Sequence, residues 1–288
     1  MKKTKILITG STGFIGSAIL TFLLKNKFHI YAILKNNKKR EDKLYKNYHL
    51  ILYKDLSELE KKLKNYKFDV LINCATLYSK ENDAKTMLDM IEANISLFSI
   101  ILKQTIKDIN LIINFGSMME HLRYKNKTYK NFYSITKSTM QNIINLFTHK
   151  KKIKFINIKL FESFGKNDHR KKIIPVIIKN YENNKITQIT NCNLSLNFVS
   201  VTSIVKVIKN ILLNNSLTSG DYCLRNHKFI TIKSLISSLN RSLKKKIKIK
   251  FINKKISKDY MINNDDIKNI YTKDNLKKFL LDNLKVNV

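Results

Sequence analysis

Tyr133-Ser134-Ile135-Thr136-Lys137 sets a phenol and an ammonium four residues apart. On a helix, positions i and i+4 share one face, so the two side chains reach the same space. An ammonium beside a phenol favours the ionised form, and the Tyr133 pKa is expected to fall toward a working range. Such a tyrosine can pass a proton to or from a carbonyl or alcohol oxygen. Alone, the pair reads equally as part of a surface helix in a Lys-rich chain. Ser117 strengthens the chemical reading. It lies sixteen residues earlier, just past the apolar run Leu111–Phe115, where its hydroxyl can bond the same reacting oxygen. Ligands of an open α/β sheet sit beyond the carboxyl ends of the strands.

A second constellation opens the chain. The apolar run Ile6–Ile8 reads as a buried strand. Gly10, Gly13 and Gly16 follow, and Ala18 to Leu24 continues as a buried helix. Strand, glycine turn and helix form a dinucleotide cradle. Gly10 takes the tight turn, Gly13 lets the backbone approach a pyrophosphate, and Gly16 lets helix and strand pack closely. The helix N-terminus offers free N–H groups to phosphates. The spacing is Gly-x-x-Gly-x-x-Gly, not the commoner Gly-x-Gly-x-x-Gly, and the plain alternative is a merely tight turn.

The elements that must position these groups alternate. Strands are predicted at Phe28–Leu34, His49–Tyr53, Asp69–Ala75, Leu111–Phe115 and Ile153–Leu160. Helices are predicted at Ser57–Asn65, Lys85–Lys107 and Asn131–His149, the first with a Ser57/Glu60 capping box. This alternation predicts an α/β fold with a doubly wound parallel sheet over residues 1–165. After Phe161 the pattern loosens. Strands near Ile186–Ile189, Leu194–Val201 and Asp221–Leu224 interleave with helices near Ile173–Asn183, Thr202–Leu213 and Thr231–Leu243. Residues 166–288 are expected to form a smaller α/β substrate lobe, whose sheet elements can interleave with the first part.

The 288 residues suffice for a large core. No apolar run approaches the ~20 residues of a membrane span. The apolar N-terminal stretch holds the glycine turn and lacks a cleavage site of small residues, so a cytoplasmic protein is expected. Cys74, Cys192 and Cys223 are odd in number and widely spaced, which predicts neither a disulfide framework nor a metal site. The net charge of +34 invites a nucleic-acid reading. However, the lysines spread over the whole chain, with no basic arm and no aromatic-basic platform. Nucleic acid is not the expected partner.

Taken together, Thr9-Gly10-Ser11-Thr12-Gly13-Phe14-Ile15-Gly16, Asp55-Leu56, Asn73-Cys74-Ala75-Thr76, Gly116-Ser117 and Tyr133-x-x-x-Lys137 resemble the extended short-chain dehydrogenase/reductases. This is the NAD-dependent epimerase/dehydratase family of nucleotide-sugar enzymes. Lys159-Leu160-Phe161-Glu162-Ser163-Phe164-Gly165, Ile173-Ile174-Pro175 and Asn197-Phe198-Val199-Ser200-Val201 extend the resemblance over nearly the whole chain.

The resemblance implies a Rossmann-type sheet and a homodimer formed through the Tyr133 helix and the Lys85–Lys107 helix. It implies catalytic roles for Ser117, Tyr133 and Lys137. It places Gly10, Ser11, Thr12, Gly13, Phe14, Ile15 and Gly16 at the cofactor pyrophosphate, and Asp55 and Leu56 beside the adenine. Ala75, Thr76 and Phe161 line the cofactor's path, Lys137 meets the nicotinamide ribose, and Asn94 has a structural role nearby. Tyr78, Ser117, Met118 and Glu162 are placed along a nucleotide-diphosphate sugar. Cys74 is expected in the core.

Three details narrow the expectation. The second strand ends Leu34-Lys35-Asn36-Asn37-Lys38-Lys39-Arg40, with cations and no acidic residue for a ribose 2′-hydroxyl. This favours NADP(H), with Lys35 a contact; NAD(H) is the alternative. Met118 and Met119 follow Ser117 where the family's dehydratases carry an Asp-Glu pair, and neither can move a proton. Glu120, displaced by one position, reads as a solvated loop residue. What remains is 4-keto reduction or 4-epimerisation, and the pattern is similar to CDP-abequose synthase-type 4-ketoreductases. Lastly, Leu196 stands where the family has an arginine for the substrate pyrophosphate, which shifts that task to cations such as Lys171 or Arg225. The expected activity is NADPH-dependent reduction of a nucleotide-linked 4-keto-6-deoxysugar for surface polysaccharide synthesis. A 4-epimerase and a non-catalytic cofactor sensor are the rivals.

Overall fold

Short runs of Ile, Leu and Val with no solvent-facing side make the central strands. Ile6, Ile8, Leu71, Ile72, Ile112 and Ile113 are all buried, as parallel strands covered on both faces require. The computed structural model describes residues 3–26, 28–35, 47–123, 128–190, 194–252, 261–262 and 267–285. Its main sheet comprises β1 (Lys5–Thr9), β2 (His29–Lys35), β3 (Tyr48–Tyr53), β4 (Val70–Asn73), β5 (Leu111–Ser117), β6 (Lys154–Leu160), β7 (Gly220–Asn226) and β8 (Lys268–Thr272). The order is β8-β7-β6-β5-β4-β1-β2-β3, and every pairing is parallel.

Alternate residues of each strand serve opposite layers. Ile6 and Ile8 pack with Ile19 and Leu23 of α1 (Phe14–Leu24) and Ile204, Ile208 and Ile211 of α7 (Val201–Asn214). Leu7 turns to the other layer, with Leu59 of α2 (Leu56–Leu63), Phe98 and Ile101 of α4 (Leu97–Thr105), and Met140 and Ile144 of α5 (Phe132–Lys151). A third core joins α6 (Ile173–Glu182), α8 (Ile232–Ser242) and α9 (Leu276–Lys285) into a lobe. Residues after 165 therefore serve both bodies: β7 and β8 extend the sheet and α7 covers it, while α6, α8 and α9 build the lobe.

Three local expectations are corrected. The helix expected over Lys85–Lys107 runs without a break from Ala84 to Thr105 but is not uniform: a π turn, Glu92–Ser96, lies between α3 (Ala84–Ile91) and α4. The extra residue per turn carries Asn94 into a buried polar contact. α2 is capped by Asp55, not Ser57. Asp55 accepts from Glu58 N at 2.9 Å, and Glu58 accepts from Lys54 N at 2.6 Å. A carboxylate is favoured over a hydroxyl beside a helix N-terminus, and Glu60 is engaged instead by Lys103 and Gln104. The strand expected at Leu194–Val201 is two short ones, Ser195–Leu196 and Phe198–Ser200, and Val201 already begins α7. The cationic run Asn36–Arg40 and Cys192 lie outside the described residues. Cys74 packs partly buried against the first core. Among the described residues, no helix is long and apolar enough to cross a membrane and no group of metal-ligating side chains occurs.

Candidate active site

The glycine turn joins β1 to α1 under steric compulsion. Gly10 has φ +64, and a Cβ there would lie 2.6 Å from Ala75 N. A Cβ on Gly16 would lie 2.1 Å from Gly10 O. Gly13 N donates to Gly10 O at 2.9 Å. Ser11 is buried, and its Oγ has no partner. An orphaned buried hydroxyl in a turn that excludes side chains fits an oxygen-rich ligand such as a pyrophosphate. Thr12 and Gly13 stay exposed beside it, and Ile15 packs into the first core. Phe14 lies under the Arg170 guanidinium, 4.2 Å from its ring centroid.

The end of β4 faces this turn. Ala75 N donates to Thr9 Oγ1 at 3.1 Å. Thr76 and Leu77 are held by Asn94, whose Oδ1 accepts from Thr76 Oγ1 and Leu77 N and whose Nδ2 donates to Leu77 O and Thr136 Oγ1. At the end of β2, Lys35 pairs with Glu92 of the π turn at 2.7 Å. Asp55 and Leu56 open α2 at the end of β3, with the Asp55 carboxylate spent on the cap.

Ser117 and Tyr133 converge, and Lys137 lies one turn further along the same helix, buried. Ser117 ends β5 and Tyr133 stands in the first turn of α5, whose N-cap Asn131 accepts from Ser134 N at 2.8 Å. The Tyr133 hydroxyl bonds the hydroxyls of Thr76 and Ser117. Here the expected acidic shift is corrected. Burial pushes the Tyr133 pKa up to about 12, Glu120 adds to the rise, and the two hydroxyls offset only part of it. Burial pushes the Lys137 pKa down, with the Glu120 charge the strongest influence opposing that fall. The phenol is therefore a loaded proton donor. Tyr78 meets Tyr133 edge to face, with ring centroids 5.0 Å apart.

Beneath the site runs a buried polar relay. Thr9 donates to Asn73 (2.8 Å), Asn73 to Asn114 (2.9 Å), Asn114 to Asn157 (2.8 Å) and Asn157 to Asp221 (2.9 Å). It crosses β1, β4, β5, β6 and β7. Gln141 of α5 donates to Asp221 at 2.6 Å and accepts from Lys159 at 2.7 Å. Lys159 then donates to Glu120 at 2.9 Å, and Glu120 accepts from Ser117 N at 2.6 Å. Glu120 is thus no solvated loop residue: Glu120 and Lys159 are each 2% exposed. The ammonium offsets the burial cost, and Gly116 supplies the room, since a Cβ there would lie 2.9 Å from Glu120 Oε1. Sequence reasoning missed Lys159, Gln141 and the asparagines. For the asparagines the signal was a polar residue in an otherwise apolar parallel strand; Gln141 sits on α5, and Lys159 is one lysine among many.

On the open side, Met118 is buried behind Ser117. Glu162 lies 3.5 Å from Lys172, whose ammonium sits 4.8 Å from the Tyr78 ring centroid. Lys171 is exposed in the turn before α6 and is not drawn into this group. Arg225 lies on β7, two strands from β5, against Phe229 at 4.9 Å. Phe161 meets Phe229 at 5.5 Å.

Known proteins match this chain. The family model described as "NAD dependent epimerase/dehydratase family" matches residues 6–223. A CDP-abequose synthase of Yersinia pseudotuberculosis is 30% identical over 223 residues, 76% of this chain and 75% of that protein. Another from Salmonella muenchen is 24% identical over 225 residues, 76% of this chain and 73% of that protein. Among solved structures, the UDP-glucuronic acid 4-epimerase from Bacillus cereus in complex with NAD aligns with TM-score 0.76 at 18% identity, covering 99% of both chains. The UDP-N-acetylglucosamine 4-epimerase from Methanobrevibacter ruminantium M1 aligns at 0.74 and 22%, covering 99% of this chain and 98% of that one. At such identities the structures establish the shared fold.

Proposed function

The chain belongs to the NAD dependent epimerase/dehydratase family, and on that premise we propose that it is an NADPH-dependent reductase of a nucleotide-linked 4-keto-6-deoxysugar. The observation that carries the reading is the buried Tyr133 against Ser117 and one turn from Lys137 on α5, with Met118 and Met119 where elimination chemistry needs an acid and a base. The similarity to CDP-abequose synthase supports the same assignment.

In this proposal the Gly10–Gly16 turn and Ser11 hold the cofactor pyrophosphate, and Lys137 holds the nicotinamide ribose. The bound cofactor supplies hydride. Ser117 donates a hydrogen bond to the C4 carbonyl oxygen and polarises it. Tyr133 donates its proton to the same oxygen as negative charge develops there. The Lys137 charge then stabilises the phenolate left behind. Tyr78 and Met118 exclude water from that face. Lys172 and Arg225 are the cations offered to the substrate phosphates, and the lobe of α6, α8 and α9 carries the nucleotide. Leu88 and Ile91 on α3 and Leu146 on α5 are exposed, which supports a homodimer through these helices. Surface polysaccharide synthesis in the cytoplasm is the setting the proposed reaction implies.

A 4-epimerase with NAD is the second reading. Its support is the Lys35–Glu92 pair, which neutralises the described cation at the end of β2 and sets a carboxylate beside it. The test is NADPH oxidation by purified protein against CDP-, GDP- and dTDP-linked 4-keto-6-deoxysugars, with NADH in parallel. Stoichiometric NADPH oxidation with one of them is expected. Purified protein that carries tightly bound NAD and oxidises neither cofactor supports epimerisation instead.

A further inference from the structure

We propose that Glu120 is a positioning residue of the Ser117–Tyr133–Lys137 group: its buried carboxylate pins the Ser117 main chain from below and sets a fixed negative charge beside the two proton-bearing side chains. The inference rests on reading those three residues as the groups that meet the substrate.

Both carboxylate oxygens are committed. One accepts from Ser117 N at 2.6 Å and the other from Lys159 at 2.9 Å. Lys159 is itself fixed by Gln141, and Gln141 by Asp221. The carboxylate therefore stands at the end of a polar chain that spans the sheet and cannot swing away. Gly116 is the residue that admits it. Ser117 is held twice, because its Oγ also accepts from Met119 N at 3.2 Å. That bond leaves the hydroxyl proton of Ser117 for Tyr133 or an incoming oxygen.

The charge has a second consequence. The groups facing Glu120 are Lys159 from β6, Lys137 and Tyr133 from α5, and Asp221 behind Gln141. His121 follows it in the same turn, Cys74 at the end of β4 faces Lys137, and Tyr78 faces Tyr133. Glu120 favours the charged ammonium of Lys137 and the protonated phenol of Tyr133. Both are the forms that an oxygen gaining negative charge requires. Glu120 acts only through its neighbours, so it changes the rate without contributing to substrate contact.

The test uses the full chain with Glu120→Gln and the charge-neutral pair Glu120→Gln/Lys159→Gln. The pair guards against a folding defect caused by the unpaired Lys159 ammonium. Circular dichroism selects the folded variant. Carbon-13 NMR with ζ-labelled tyrosine reads the Tyr133 titration, assigned by its loss in Tyr133→Phe. In the wild type, Tyr133 stays protonated while exposed tyrosines titrate near their ordinary value of about 10. In the folded variant the Tyr133 titration moves to lower pH. With an accepted substrate, kcat falls about tenfold or more while KM stays within about twofold. An unmoved Tyr133 titration in the folded variant overturns the proposal, whatever happens to turnover, because a general packing defect lowers turnover too. A moved titration with unchanged kcat overturns it as well. If the wild type reduces no nucleotide sugar, the functional reading fails, and the NMR result alone decides the role of Glu120.

Discussion

Asn94 Nδ2 donates to Thr136 Oγ1 at 3.0 Å, tying the π turn between α3 and α4 to the helix that carries Tyr133 and Lys137. Thr136 lies between those two residues, and its hydroxyl donates in turn to Tyr133 O. The same asparagine holds Thr76 and Leu77 on the opposite wall. One buried amide therefore sets the spacing of both walls of the cleft. Asn94→Ala strands several buried polar groups, and a loss of about 2–3 kcal/mol is expected from their desolvation. Chemical denaturation measures this loss, and weakened cofactor binding accompanies it because Thr76 is released.

Gly16→Ala is expected to be more damaging to binding than to the sheet. The added methyl meets Gly10 O at 2.1 Å, a backbone atom with no room to yield without reshaping the turn. NADPH affinity, read by the fluorescence of the bound nicotinamide, is expected to fall by tenfold or more, about 1.4 kcal/mol or above. Gly13→Ala makes the comparison, since its nearest such contact is 3.3 Å.

Tyr133→Phe keeps the ring, its burial and its contact with Tyr78 while removing the proton donor. Cofactor affinity is expected to stay within about twofold, while reductive turnover falls about 10²–10⁴-fold. The pH dependence follows from the direction of the shifts. Tyr133 is raised, so its donor form persists through neutral and mildly alkaline pH; Lys137 is lowered, so its charge is lost first as pH rises. The alkaline fall in kcat is therefore assigned to Lys137, and Lys137→Arg is expected to move that limb to higher pH.

The Lys35–Glu92 pair gives a cofactor test. Glu92→Gln removes the carboxylate that engages Lys35 at 2.7 Å. The freed ammonium is expected to raise the NADPH-over-NADH preference several-fold, measured as the ratio of kcat/KM values. Lys35→Gln is expected to lower it.

Leu88 is 65% exposed on α3, and Leu146 is 59% exposed on α5. Leu88→Glu/Leu146→Glu places two charges on the face proposed for dimerisation. Sedimentation equilibrium is expected to shift from dimer to monomer, with secondary structure unchanged.

The strands and the glycine turn were legible because their residue types admit few alternatives. Ile6–Ile8 has no polar face to leave exposed, and at Gly10 a Cβ would lie 2.6 Å from Ala75 N. The α2 start was misplaced because Asp55-Leu56-Ser57-Glu58-Leu59-Glu60 holds two overlapping capping boxes, and the chain uses the Asp55/Glu58 one. The π turn leaves the apolar pattern intact, so the sequence shows no break at Asn94. Lys159 was hidden by its background. In a chain with 55 Lys and Arg, one more lysine carries no signal until its strand is seen to be buried. The Tyr133 shift was misjudged because spacing reports the neighbouring charge and not the depth of burial, and here burial is the larger effect.

The most direct measurement of the central claim is deuterium transfer. The protein is incubated with NADPH deuterated at the transferring position of the nicotinamide and with the accepted 4-keto-6-deoxysugar nucleotide, and the product is examined by mass spectrometry and proton NMR. Reduction predicts one deuterium at C4 of the sugar, one NADP formed per sugar consumed, and loss of this product in Tyr133→Phe. Recovery of the 4-keto sugar unreduced, carrying no deuterium and with the added NADPH intact, contradicts the account.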